Sequence, residues 1–172
     1  KGFAQHHMEF TATYQSCLLF NAGNDGEGHP NVLRLLDAFT MRGAGFLVFP
    51  FYCNGDLFSL VELEHMKEDD AKRSIWQVMD AISYIHSLGY CHDNICPENI
   101  LIDDHNNMIV CDSARALRLL NGQPPPKPPR FRGRWVYSPL ERFNSPGSGF
   151  DGVKTDVFAI GATLLTMLSG CH

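Results

Sequence analysis

The sequence predicts an α+β fold, and three stretches carry that prediction. Glu68 to Leu88 places Ile75, Val78, Met79, Ile82 and Ile85 at the i, i+3, i+4, i+7 and i+10 spacing of an amphipathic helix. Ile100–Ile102 and Met108–Cys111 flank the turn Asp103 to Asn107, rich in Asp and Asn, which is the pattern of a β-hairpin. Val157 to Leu168 is almost wholly apolar, the pattern of a helix buried on every side. At 172 residues the chain is long enough to bury roughly 70% of its unfolded surface, so one domain with room for two lobes is expected.

The remaining elements follow from local chemistry. Met8 to Phe20 reads as a helix with Tyr14, Leu18 and Leu19 on one face. Asn21 to Gly28 has the composition of a loop. His29 to Phe39 opens on a Pro-containing turn and continues as a strand. Met41 to Gly45 is a second turn. Phe46 to Phe51 is a short apolar strand, and Pro50, which has no N–H to give, marks where it leaves the ladder. Cys53-Asn54-Gly55 breaks the chain, and Asp56 is a good N-cap for a short helix from Leu57. Gly89 ends the long helix and Gly170 the apolar one. Ser113 to Gly149 is irregular and holds seven of the ten prolines. There is no internal repeat.

Composition narrows the function. Hydrophobic residues make up 44% of the chain, as in ordinary globular proteins. A net charge of −5 argues against a general nucleic-acid binder. The six cysteines form no C-x-x-C pair, and no His pair has i, i+4 spacing, so free thiols are expected rather than zinc. No signal peptide and no apolar run of about 18 residues is found, so an intracellular (cytoplasmic) location is expected.

The stretch with most chemistry is Tyr90 to Asp112. HDNICPENILI (92–102) resembles the catalytic loop of protein kinases, H-R-D-[L/I]-K-P-E-N-[I/L]-L. The resemblance runs in order through residues 29–172. HPNVLRLLDAF and FPFYCNGDLF are similar to the strands and linker between the family's lobes, and ISYIHSLGYC to its helix before the loop. VCDSA (110–114) sits where D-F-G follows its strand, GRWVYSPLE (133–141) over G-T-x-x-Y-x-A-P-E, and DVFAIG (156–161) over D-x-W-x-x-G. The P-E-N form leans to the Ser/Thr branch. The resemblance implies a kinase-like two-lobed fold, with part of an N-lobe in 1–52 and part of a C-lobe in 53–172, truncated after the central buried helix. No G-x-G-x-x-G and no strand lysine motif is found, so a piece of a longer protein is expected.

The resemblance assigns roles residue by residue. Phosphoryl transfer rests on positioning and charge neutralisation. Asn99 and Asp112 stand at the two metal-ligand positions, implying Mg²⁺ shared with the phosphates of ATP. The proton-acceptor position is Asn94, an amide that cannot take a proton. Asp93, in the family's Arg slot, is the substitute that could rescue it, and its charge would repel a phosphorylated loop. Cys96 replaces the loop lysine and removes a positive charge. Ser113 and Ala114 replace the Phe and Gly of D-F-G. The helix Glu that pairs with the strand lysine would fall near Gln15. For adenine, the resemblance offers the Pro50 carbonyl, the Tyr52 N–H and C=O, and bulky Phe49 at the back of the pocket. Asp56 is placed for the ribose, and Leu101 and Leu57 are either the floor under the base or ordinary core. The expected outcome is a pseudokinase acting through protein partners, with a weakly active Ser/Thr kinase as the alternative. Pro125 to Arg130 also fits the P-x-x-P-x-R form of an SH3 ligand, or else a stiff solvated loop.

Overall fold

The structure, a computed structural model, describes residues 2–23, 26–119, 134–143 and 150–170, with side chains from Phe10 onward. The helix expected over 8–20 is longer: α1 spans Gly2–Ala22. Strands β1 (Asp37–Met41) and β2 (Ala44–Val48) form an antiparallel hairpin, with Met41 opposite Ala44. Arg42 and Gly43 turn it, both at positive φ (52° and 80°), as a two-residue turn matching the strand twist requires. The hairpin is therefore tighter than the sequence predicted, and β2 ends before Phe49.

The strand expected from His29 starts only at Asp37. Residues 31–33 instead dock on the central hairpin. Val110 N–H donates to the Asn31 carbonyl (2.8 Å) and Leu33 N–H to the Val110 carbonyl (2.9 Å). Asn31 adds its amide, which donates to Gln77 Oε1 and the Met108 carbonyl. The segment thus makes one parallel bridge, Val32 with Val110, and the Asn31 side chain adds its bonds beyond it.

Helix α2 (Leu57–Leu63) is capped as expected, with Asp56 accepting from the Ser59 N–H at 2.7 Å. Helix α3 (Glu68–Ser87) buries Ile75, Val78, Ile82 and Ile85 on the predicted face, with Met79 left partly exposed. Gly89 follows it at φ 81°, where a side chain would be strained. β3 (Tyr90–Cys91) then enters the loop. β4 (Ile100–Ile102) and β5 (Met108–Val110) form the predicted hairpin, with Ile100 opposite Val110. β6 (Leu117–Arg118) pairs antiparallel with β3.

Helix α4 (Gly152–Ser169) is capped by Asp151 and closed by Gly170 at φ 63°. It is not buried on every side. Ala159, Thr163, Thr166 and Met167 face the core, while Val157 (59% exposed) and Leu165 (66%) lie on an uncovered side. Composition alone does not separate a helix enclosed all round from one with an uncovered apolar face. Among the described residues the core joins α2, α3, the central hairpin and the inner face of α4, with Phe20 of α1 and Val32 packed in. These elements hold the loop 92–99 between the hairpin and α4.

Candidate functional site

The loop is fixed from below by one carboxylate. Asp156, 1% exposed in α4, accepts the backbone N–H of His92 (Oδ2, 2.8 Å) and of Asp93 (Oδ1, 2.9 Å). His86 Nε2 from α3 also meets Asp156 Oδ2, at 2.8 Å. His92 is buried, and burial lowers its pKa, so the neutral ring donates from Nε2 to the Cys111 carbonyl (3.0 Å). Loop, central helix and the strand before Asp112 are thereby tied together.

The predicted metal-ligand residues do come together. Asn99 ends a 3₁₀ turn, Pro97–Asn99, and its carbonyl accepts the Cys111 N–H at 2.9 Å. Asp112 adopts a left-handed backbone (φ 58°, ψ 58°) that presents its carboxylate to the loop. Between them stands Asn94. Its Nδ2 donates to Asp112 Oδ2 at 2.6 Å, its Oδ1 accepts from Arg115 Nη1 at 3.2 Å, and its carbonyl accepts Asn99 Nδ2 at 2.8 Å. With its amide N–H₂ turned to the loop, Asn99 has its side-chain oxygen left as the donor atom. Together with Asp112 this set fits a hard cation that takes its other oxygens from phosphate and water. It does not make a protein-only cage: among the described residues no group of three or more His, Cys, Asp or Glu side chains gathers to hold a metal ion.

Asp93 has a different surrounding. Its side chain is 4% exposed and meets Arg142 Nη2 at 2.8 and 2.9 Å and Arg115 Nη2 at 3.7 Å. Burial raises its carboxyl to about 6, while the two arginines pull it down. The geometry does not favour it as the substitute proton acceptor, because both oxygens face guanidinium groups in the interior. Cys96 is buried in the core, its thiol pushed by burial up to about 12, so the lysine position holds a neutral group. Glu98 pairs with Arg134 across the loop.

The adenine-side expectations divide. Phe49 lines an apolar cavity of about 210 Å³ together with Thr13, Cys17, Phe20, Asp112 and Ser113. The Tyr52 carbonyl, expected to be open to a base, accepts the Gly55 N–H at 3.3 Å in a turn that follows Pro50. Asp56 spends Oδ1 on the α2 cap, which competes with the ribose contact expected of it. Leu57 is fully buried core, whereas Leu101 is half-buried on β4, which leaves Leu101 as the residue able to lie under a base. Gln15 is exposed, and the α1 residues that look toward Asp112 and Ser113 are Thr13 and Cys17. Cys17 Sγ lies 3.7 Å from Ser113 Oγ. Sequence spacing missed them because α1 is followed by a loop of uncertain register. Of the cysteines, Cys17, Cys91 and Cys96 are buried, Cys111 is half-buried and Cys53 is exposed, all as free thiols. The segment Pro125 to Arg130 lies outside the described residues.

The model of the protein kinase domain matches residues 21–172. The chain belongs to the protein kinase domain family. Among its relatives, sperm motility kinase Z of Mus musculus is 32% identical over 143 residues, covering 83% of this chain and 28% of that protein. CBL-interacting serine/threonine-protein kinase 15 of Arabidopsis thaliana is 29% identical over 153 residues, covering 83% of this chain and 33% of that protein. CBL-interacting protein kinase 19 of Oryza sativa subsp. japonica is 29% identical over 142 residues, with 83% and 28% covered. The chain thus spans about a third or less of the length of these relatives. The α+β kinase fold, incomplete at 172 residues, and the kinship with Ser/Thr kinases stand as expected. The family uses ATP and Mg²⁺. Among the described residues no helix is long and apolar enough to cross a membrane.

Proposed function

We propose that this kinase domain is a pseudokinase module that works through protein contacts and does not transfer phosphate. The observation that carries the reading is the bond from Asn94 Nδ2 to Asp112 Oδ2 at 2.6 Å. The group in the proton-acceptor position is an amide that donates a hydrogen bond to the would-be metal ligand. Loss of a positioned base costs about 10²–10⁴ in rate, and the neutral, buried Cys96 adds no charge to oppose that loss. The decisive measurement is phosphate incorporation into peptide or protein by the full-length protein with Mg-ATP. None is expected. Incorporation that disappears in Asp112→Ala overturns the proposal.

Asn99 and Asp112 support residual Mg-ATP binding through one amide oxygen and one carboxylate. A thermal shift with Mg-ATP, absent with ATP plus chelator and absent in Asp112→Ala, is the expected result. The retained pair, and the Ser/Thr kinases among the relatives, also support the second reading of a weakly active Ser/Thr kinase. That reading requires Asn94→Asp to raise activity and Asp93→Ala to abolish it, and no change in either excludes it. For partners, the proline spacing of Pro125 to Arg130 supports an SH3 domain, and pull-downs unaffected by Pro128→Ala would end that reading. An intracellular site of action is part of the same proposal.

A further inference from the structure

We propose that Asp93 is a positioning residue that ties both ends of the 113–143 segment to the loop, an attachment that requires no phosphate. This attachment does not depend on whether the domain is active. Arg115 lies just after Asp112 and Arg142 near the end of the segment, 27 residues later, yet both guanidinium groups converge on one carboxylate. Arg142 is 3% exposed, spans both Asp93 oxygens at 2.8 and 2.9 Å, and lies 3.8 Å over the ring centroid of Phe150. Arg115 reaches Asp93 at 3.7 Å and Asn94 Oδ1 at 3.2 Å.

Asp93 is itself immobilised. Its N–H is held by Asp156 Oδ1, and its backbone sits at φ 58°, a conformation that a non-glycine residue adopts only when its surroundings enforce it. The segment end is reinforced nearby. Trp135 stacks on Phe143 with ring centroids 4.4 Å apart, and Tyr137 Oη lies 3.2 Å from Thr166 Oγ1 of α4. A carboxylate between two guanidinium groups does here what a phosphate does between arginines elsewhere: it gathers distant chain points, by a charge-assisted hydrogen bond from Arg142 and an ion pair with Arg115. The other acidic groups that face the cluster are Asp156 and Asp112. A buried pair of this kind adds little net stability over apolar packing, but removing one partner leaves the other's charge buried and destabilises the fold. Its specific signature is therefore a loss of order at the two segment ends in excess of any global loss.

Hydrogen exchange on the full-length protein tests this. Asp93→Asn keeps the shape and removes the charge. Exchange of the peptides covering 113–118 and 134–143 should speed by at least about tenfold more than that of the α3 amides at 75–85, the effect of losing a charged hydrogen bond. Arg142→Met should do the same at 134–143, and the Asp93→Asn/Arg142→Met double variant should add little beyond either single change. Phosphatase treatment of the wild-type protein should leave both ends protected. The proposal is overturned if Asp93→Asn leaves both ends slow or speeds α3 equally. Additive effects in the double variant, or loss of protection after phosphatase, would overturn it as well.

Discussion

His92 and Asn94 stand two residues apart on the same loop and meet opposite surroundings. His92 is enclosed and keeps the residue of the family pattern: its N–H goes to Asp156 and its ring to the Cys111 carbonyl. Asn94 is half-buried on the reacting side against Asp112, and Cys96, Ser113 and Asp93, whose side chains are buried, differ from that pattern as well. The contrast has a physical reason. Altering the enclosed side strands buried polar groups, at about 1–3 kcal/mol each. Asn94 is half-buried and its amide has Asp112 and Arg115 as partners, so the exchange at this position strands no polar group.

The largest effect expected on the enclosed side comes from Asp156→Ala. It leaves two loop N–H groups and His86 without their shared acceptor, and we expect about 3–5 kcal/mol of lost stability by chemical denaturation. A loss below about 1 kcal/mol would mean that the loop is held by packing alone, and the contrast with Asn94 would collapse.

On the reacting side, Asn94→Asp replaces a 2.6 Å hydrogen bond to Asp112 by two facing carboxylates. Without metal the variant should be less stable by about 1–3 kcal/mol, and Mg²⁺ should restore much of that loss. Thermal melts with and without Mg²⁺ decide it. A variant as stable as the wild type in chelator would show that the Asn94–Asp112 bond has no energetic weight.

What could be read in the sequence follows the same division. The amphipathic pattern of α3, the 100–110 hairpin and the Asp56 cap are encoded by local periodicity or by residues close in the chain, whereas it is the family resemblance that singles out Asn99 and Asp112. Contacts that join distant residues are not so encoded. Arg115 and Arg142 became partners of Asp93 only in three dimensions, although an acid in a slot that holds Arg elsewhere was a reason to look for basic residues nearby. The exposed side of α4 and the replacement of Gln15 by Thr13 and Cys17 were hidden for a similar cause. Apolar composition does not say which face is covered, and the loop after α1 makes counting unreliable.

A smaller effect is expected where Ser113 borders the apolar cavity of about 210 Å³. The Ser113 hydroxyl has a thiol for its side-chain contact, at 3.7 Å. Ser113→Leu should bury additional apolar surface in existing space and raise stability by about 1 kcal/mol, read as a higher midpoint in urea. A lower midpoint would show that the space is already shaped against a larger side chain.

The last effect concerns Asp93 and pH. Burial raises its carboxyl from 3.8 to about 6, with Arg142 and Arg115 opposing and Asp156 adding to the rise. Between about pH 4 and pH 6 the folded protein therefore holds a proton that the unfolded chain has released. Stability from this group falls as pH rises through that window and is level above it, the reverse of an acid whose pKa is depressed by its ion pair. Asp93→Asn has no such proton, so other titrating groups cancel when the two proteins are compared. The wild type's stability relative to Asp93→Asn should fall by about 1–3 kcal/mol from pH 4 to pH 6 and then stay constant. A difference that rises instead would mean that the two arginines outweigh burial, and that Asp93 supports the fold as well as placing the segment.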